Sequence, residues 1–296
     1  MLKVKMKKSI PNRIGRTALY RGLAASACAL TLASGCRREP EVPASAQQAW
    51  QDLAGETPLD RLNVILISID TLRADRLSSY GSTQVQTPHI DRFASEGIRF
   101  DNAASTVPFT LPAHSSIMTG TYPPYHGVRE NVGYFLDDSL TTVARELQRS
   151  GWTTAGFVSA FVLDSRWGIA SGFDHYFDDF ELEEPGRANL GSVQREGSET
   201  IAAAVSWLDT APQEPFFLWL HLFDPHDPYR PPEPYKSQYR HPYDGEVAYT
   251  DALFGQFRDA LETRGLLDSS LIILTGDHGE GLGQHQEGFH GFFIYD

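Results

Sequence analysis

Leu62-Asn-Val-Ile-Leu-Ile-Ser-Ile69 is a largely apolar run, rich in β-branched residues, that stops at Asp70. Such a run predicts a buried parallel strand with a carboxylate at its carboxyl end. Pro215 to Phe223 and Ser270 to Gly276 repeat the form and stop at Asp224 and at Asp277-His278. Thr153 to Ala160 predicts another strand, and Ile98 to Asn102 a short one. Between these runs the apolar period lengthens to that of a helix. Thr87-Pro88 opens a helix that runs through Glu96 and closes at Gly97. Pro112 to Met118 starts a second, stopped at Gly120. Ser139 to Arg149 is apolar at 140, 143, 144 and 147, and Glu246 to Arg264 at 247, 254, 257 and 261. Ser192 to Leu208 has a weaker pattern. Strands that alternate with helices predict an α/β fold: a mostly parallel sheet with helices on both faces. Ligands of such sheets gather beyond the carboxyl ends of the strands. Asp70, Asp224 and Asp277 are therefore expected at one edge.

The first 60 residues follow no such pattern. Residues 1–21 carry seven basic side chains and no acidic one, and a short apolar run from Gly22 to Gly35 precedes Cys36. That order describes an export signal, and the run is too short to span a bilayer comfortably as a helix. Leu32-Ala-Ser-Gly-Cys36 resembles a bacterial lipobox, with Ala33 where the pattern prefers Leu. Residues 1–36 are thus expected to be a lipoprotein signal with its lipid on Cys36; an ordinary signal cut nearby, or an uncleaved anchor, is the other reading. Residues 37–60 read as a flexible tether, and 61–296 as the catalytic core. The expectation is an exported lipoprotein, held to a bacterial membrane through Cys36, in the periplasm or at the cell surface.

Charge and cysteine count narrow the chemistry. The net charge is −13; without the seven basic residues of the signal, 18 basic face 38 acidic residues. This excludes nucleic acid as a partner, because a phosphate backbone needs a basic footprint. Cys28 and Cys36 are the only cysteines, so the core has neither a disulfide nor a thiol nucleophile.

Asp277-His278-Gly-Glu280 directly follows a buried strand. An adjacent carboxylate and imidazole suit a divalent metal, or else cap a turn. Asp70 at another strand end favours the metal. Thr110, two residues before Pro112, is either a helix cap or a hydroxyl nucleophile activated at a metal.

In order and spacing these segments resemble the sulfatase family of the alkaline-phosphatase superfamily. Asn63 to Leu77 with Tyr80-Gly81 resembles the family's first strand and ligand turn, and Thr87-Pro-His-Ile-Asp91 its helix start. Thr110-Leu-Pro-Ala-His-Ser-Ser-Ile-Met-Thr-Gly120 falls on its nucleophile signature. Tyr122-Pro-Pro, His126 to Asn131, Asp224-Pro-His-Asp-Pro-Tyr229, Tyr243 to Asp251, Asp277-His-Gly-Glu280 and His290-Gly291 continue the match. The resemblance implies an alkaline-phosphatase-like core and a metal-dependent hydrolase of sulfuric or phosphoric esters. It places the metal on Asp70, Thr110, Asp277 and His278, makes Thr110 the nucleophile, and gives His226 the leaving group. His114, Asn131, His226 and His290 are the candidates for ester oxygens.

Two departures change the chemistry. Thr110 stands where the family's Cys or Ser becomes formylglycine, and His114 replaces the signature Arg. No formylglycine is expected, and phosphate mono- or diesters are favoured over sulfate. Thr71 also replaces a family Asp, which leaves one carboxylate fewer. A single Zn²⁺ or Mn²⁺ is favoured by the nitrogen donor, with Ca²⁺ possible. The alternatives are a phosphoethanolamine- or glycerophosphate-type transferase acting on an envelope acceptor, and an inactive surface lipoprotein with the same fold. Family members continue beyond the point where this sequence stops, so a truncated core lacking the C-terminal subdomain is expected.

Overall fold

The computed structural model describes residues 58, 61–180, 193–210 and 212–291. The signal segment, Cys36 and most of the tether lie outside them.

Five parallel strands form one sheet in the order β3-β2-β4-β1-β5. They are β1 (Asn63–Ile69), β2 (Thr153–Phe157), β3 (His175–Phe177), β4 (Phe216–Leu222) and β5 (Ser270–Gly276). The helices are α1 (Pro88–Glu96), α2 (Thr110–Thr119), α3 (Pro123–His126), α4 (Val143–Arg149), α5 (Gly197–Asp209), α6 (Tyr235–Gln238) and α7 (Pro242–Thr263). The expected α/β architecture is present, and side-chain alternation divides its core in two. Ile65, Ile67, Ile69, Phe216, Leu218 and Leu222 pack on one face with Phe93 of α1, Ile201 of α5 and Phe254 of α7. Leu66, Phe217 and Trp219 pack on the other with Leu111 and Met118 of α2. Among the described residues, no helix is long and apolar enough to cross a membrane.

Register sets the functional edge. Ile69 pairs with Leu222 on one side and with Gly276 on the other. The residues that follow, Asp70, Phe223 and Asp277, therefore leave the sheet level with one another. Asp224 comes one residue later and falls on the opposite face, where its Oδ2 accepts the Gly197 N–H at 3.0 Å, at the start of α5. All three acids thus lie at the expected edge, but Asp224 faces away from the other two.

Several element boundaries also differ from expectation. The segment Ile98 to Asn102 forms no strand; Arg99 to Asn102 are exposed, and Arg99 and Phe100 contact Tyr80 rather than the sheet. α4 starts at Val143 because the Thr142 hydroxyl accepts the Arg145 N–H at 3.1 Å and caps it there. α2 begins at Thr110, two residues before Pro112.

Candidate active site and metal centre

Asp70, Asp277 and His278 are all buried at the ends of β1 and β5. Asp277 Oδ1 accepts two backbone N–H groups, from Thr71 at 3.1 Å and from His278 at 2.7 Å. Its Oδ2 has no hydrogen-bond partner, and neither does Asp70 Oδ1. His278 Nδ1 lies 3.0 Å from the Gly279 carbonyl. A carbonyl only accepts, so Nδ1 carries the hydrogen and Nε2 presents a lone pair. That lone pair faces Asp277 Oδ2 at 3.4 Å and Asp70 Oδ1 at 3.6 Å, and it too is unpartnered.

Three acceptors thus converge in a buried space; the nearest donor, His114 Nδ1 at 3.6 Å from Asp277 Oδ2, gives its hydrogen to the Thr110 carbonyl instead. Protonation is not the remedy at His278: burial holds the imidazole down to about 4, so it is neutral at pH 7. Burial, then repulsion from Asp70, pushes the Asp277 carboxyl well above the ordinary range. Asp70 goes the other way; burial raises it, but the His221 contact and the imidazoles around it bring it well below. A cation among the three atoms resolves the conflict. Ligands of a tetrahedral ion with bonds of about 2.1 Å stand about 3.4 Å apart, which matches the spacing here. The hydrogen bond from Nδ1 to a carbonyl is also the usual way a ligating histidine is oriented. The residues therefore fit a divalent metal, and Asp70, Asp277 and His278 form one of two groups with that geometry among the described residues.

Thr110 is buried in the first turn of α2, and its hydroxyl donates to Asp70 Oδ2 at 3.3 Å. The helix places that oxygen beside the three orphaned atoms, near the positive end of its dipole. Asn131 Oδ1 accepts the Leu111 N–H at 2.8 Å. It thereby caps the same turn. Thr71, at the position of the missing carboxylate, has a left-handed φ of 51°. That conformation is costly for a β-branched residue. Tyr243 holds the turn, donating to the Thr71 carbonyl at 2.7 Å and accepting the Arg73 N–H at 3.1 Å.

His114 is the clearest departure from expectation. It is wholly buried beneath α2 and cannot touch an ester. Nδ1 donates to the Thr110 carbonyl at 2.8 Å, so Nε2 accepts, from the Ser68 hydroxyl at 2.8 Å. Ser68 in turn accepts the Trp219 indole N–H at 2.9 Å. Burial, then His221, brings the ring down to about 3, so this neutral tautomer persists. The second metal-like group, His114, His221 and Asp277, is ruled out because the His114 lone pair is already committed to Ser68.

Outside the orphaned trio lies a set of histidines. His226 stacks on Phe223 with ring centroids 4.2 Å apart. Its Nδ1 donates to the Asp227 carbonyl at 2.5 Å, which leaves Nε2 for exchange. His290 stands 4.9 Å from His226 and 4.6 Å from His278, centroid to centroid. Its Nδ1 faces the two Glu280 carboxylate oxygens at 3.3 and 3.4 Å. Burial acts to lower His290, but Glu280 outweighs it and the net shift is upward. Glu280 also accepts from Tyr229 at 3.0 Å. His226 and His290, both expected to face the ester, thus stand side by side next to His278. A cavity of about 310 Å³ also reaches Asp277 between Thr106, Ser116, Ile117 and Tyr122. It has no cationic lining residue, so the histidine side is the one that suits an anion.

Sequence reasoning missed two members of this site. Glu280 was quoted within a motif but given no role. His221 lies inside a predicted strand and outside every motif named above. Yet a lone imidazole in an otherwise apolar strand, beside the strand that ends in Asp70, is itself a signal.

Comparison with known proteins identifies the family. The sulfatase family profile matches residues 62–292. The chain belongs to the sulfatase family. An arylsulfatase of Clostridium perfringens is 24% identical, with 79% of this chain and 68% of the relative covered. An N-acetylgalactosamine-6-O-sulfatase of Bacteroides thetaiotaomicron is 24% identical over 73% of this chain and 58% of its own length. Among solved structures, a phosphonate monoester hydrolase of Agrobacterium radiobacter superposes with a TM-score of 0.66 at 23% identity, covering 79% of this chain and 66% of that one. This sulfatase-family chain therefore spans about two thirds or less of the relatives it matches, and at these identities the structural likeness shows the fold alone.

Proposed function

We propose that this chain is a metal-dependent ester hydrolase that acts through a covalent Thr110 intermediate, with phosphoric esters favoured over sulfuric ones. The observation that carries the reading is the convergence of Asp70 Oδ1, Asp277 Oδ2 and His278 Nε2 beside the Thr110 hydroxyl. The preference for phosphorus rests on Thr110 at the formylglycine position and on a core without cysteine. A nitrogen donor among the ligands favours Zn²⁺ or Mn²⁺ over Ca²⁺. Export as a lipoprotein through Cys36 belongs to the same proposal.

A divalent cation bound there supplies Lewis acidity to the reacting oxygens. The chain does the rest. The bond from Thr110 Oγ to Asp70 Oδ2 fixes the hydroxyl so that its free lone pair can meet phosphorus in line. The new Oγ–P bond forms as the ester O–P bond breaks, and the Thr110 proton passes along its hydrogen bond to Asp70 Oδ2. The leaving oxygen takes a proton carried on His226 Nε2, while His290, whose hold on a proton Glu280 strengthens, faces the negative charge on the phosphoryl oxygens. Water then attacks the phosphorus of the Thr110 ester and gives its proton to His226; the Oγ–P bond breaks, phosphate departs, and Thr110 Oγ takes back its proton from Asp70.

The test is a panel of p-nitrophenyl sulfate, p-nitrophenyl phosphate, p-nitrophenyl phenylphosphonate and bis(p-nitrophenyl) phosphate, with Mn²⁺, Zn²⁺ or Ca²⁺, in wild type and Thr110→Ala. Phosphorus-ester turnover that vanishes in the variant supports the reading. Turnover of the sulfate ester alone, or activity that survives the substitution, overturns it.

A further inference from the structure

His221 is wholly buried in β4. Register pairs it with Ser68, two residues before Asp70, so alternation puts both side chains on the α2 face of the sheet. Neither ring nitrogen has a hydrogen-bond partner by strict geometry. The ring abuts His114 edge-on at 4.9 Å. Leaving a buried polar group unpaired is costly, so an imidazole at this position requires an explanation.

Asp70 supplies it. Its two oxygens face two different imidazoles: Oδ1 lies 3.6 Å from His278 Nε2, and Oδ2 lies 3.5 Å from His221 Nε2. The two contacts differ in kind. The His278 nitrogen is a lone pair, because its partner nitrogen donates to Gly279. No carbonyl fixes the His221 tautomer, so its Nε2 is free to carry the hydrogen. We propose that His221 is a positioning residue, whose Nε2–H joins the Thr110 hydroxyl on Asp70 Oδ2 and thereby leaves Oδ1 as the single Asp70 oxygen aimed at the metal.

This inference rests on the metal-site reading above. Two donors on Oδ2 turn a symmetric carboxylate into a one-oxygen ligand and fix its rotamer. The unpartnered atoms that converge are Oδ1, Asp277 Oδ2 and His278 Nε2. His221 lies against the other Asp70 oxygen, which places it outside the coordination sphere. Partners of this kind are worth about 10–100-fold in metal affinity.

The experiment titrates the metal-depleted protein with Co²⁺, whose visible bands report its ligand set. The variants are His221→Phe, which removes the donor, His221→Gln, which keeps one, and Asp277→Asn, which removes a ligand. The expected result is a Kd raised about 10–100-fold in His221→Phe, band positions unchanged, and affinity largely restored in His221→Gln. The metal-free melting temperature should fall only slightly in His221→Phe, because the bond lost from Asp70 Oδ2 is offset by removing the unpartnered Nδ1 from the core; His221→Leu takes its place if the larger ring cannot be housed. A merely structural role would lower that temperature markedly and leave Kd unmoved, which overturns the proposal. A shift of the bands would make His221 a direct ligand and also overturns it. Wild type that binds no Co²⁺ overturns the metal site itself and this inference with it. Binding lost in Asp277→Asn but untouched in His221→Phe overturns this inference alone.

Discussion

Asp277→Asn should move stability in opposite directions with and without metal. Asn keeps an oxygen at the Oδ1 position, so the Thr71 and His278 backbone N–H groups stay satisfied. Its amide NH₂ replaces the orphaned Oδ2 and can donate to the His278 Nε2 lone pair at 3.4 Å. The substitution also removes one of two mutually repelling buried carboxylates. Relieving an unsatisfied buried acceptor is worth about 1–3 kcal/mol, so the metal-free variant should be the more stable protein. The sign with pH agrees. A carboxyl whose folded pKa lies above its unfolded value stabilises at low pH, and that contribution is lost as pH rises through the folded value. The variant should therefore gain most at neutral pH. With metal the order reverses. At 100 times Kd, wild type gains about 2.7 kcal/mol, or about 5–10 °C in a domain of this size, and the variant gains almost none. Scanning calorimetry in EDTA and in Mn²⁺ measures both effects. A variant that melts lower than wild type in EDTA and keeps the metal-induced rise would refute the reasoning.

Other substitutions separate support from contact. His114→Ala should cost about 2–4 kcal/mol in urea melts, from the cavity and the orphaned Ser68 hydroxyl; a raised KM with unchanged stability would return His114 to the substrate. Glu280→Gln should lower the His290 titration midpoint followed by NMR, since the carboxylate is what raises it. Glu246 is raised from 4.5 to about 8, first by burial and then by Asp224. Its contribution to stability is present at low pH and is lost as pH rises toward 8. Glu246→Gln should therefore flatten the fall in urea midpoint between pH 5 and pH 8 and stabilise the protein at the upper end.

The apolar runs located β1, β4 and β5 to within a residue or two, because a strand buried on both faces leaves little choice of residue. They could not reveal β3, whose three residues at the sheet's edge carry no pattern. Asp70 and Asp277 were legible as strand-end acids, but which strand-end acids meet depends on register. Asp224 lies one residue too late and turns to the other face. Thr110, Asp277 and His278 stood out through motif resemblance. The purpose of His114 was hidden because spacing shows that a histidine falls on a helix and not which way that helix is rolled. His221 was hidden for the converse reason: a strand buried among hydrophobes reads as core, and only the pairing of Ser68 with His221 brings that ring to Asp70.

The central claim is that Thr110 carries the transferred group. Its most direct test is to quench a turning-over reaction in acid and analyse the fragment containing Thr110 by mass spectrometry. The account predicts one phosphoryl group on Thr110, present with a phosphorus ester and metal and absent with EDTA. Turnover without modification of that fragment, or with the group on another residue, would contradict it.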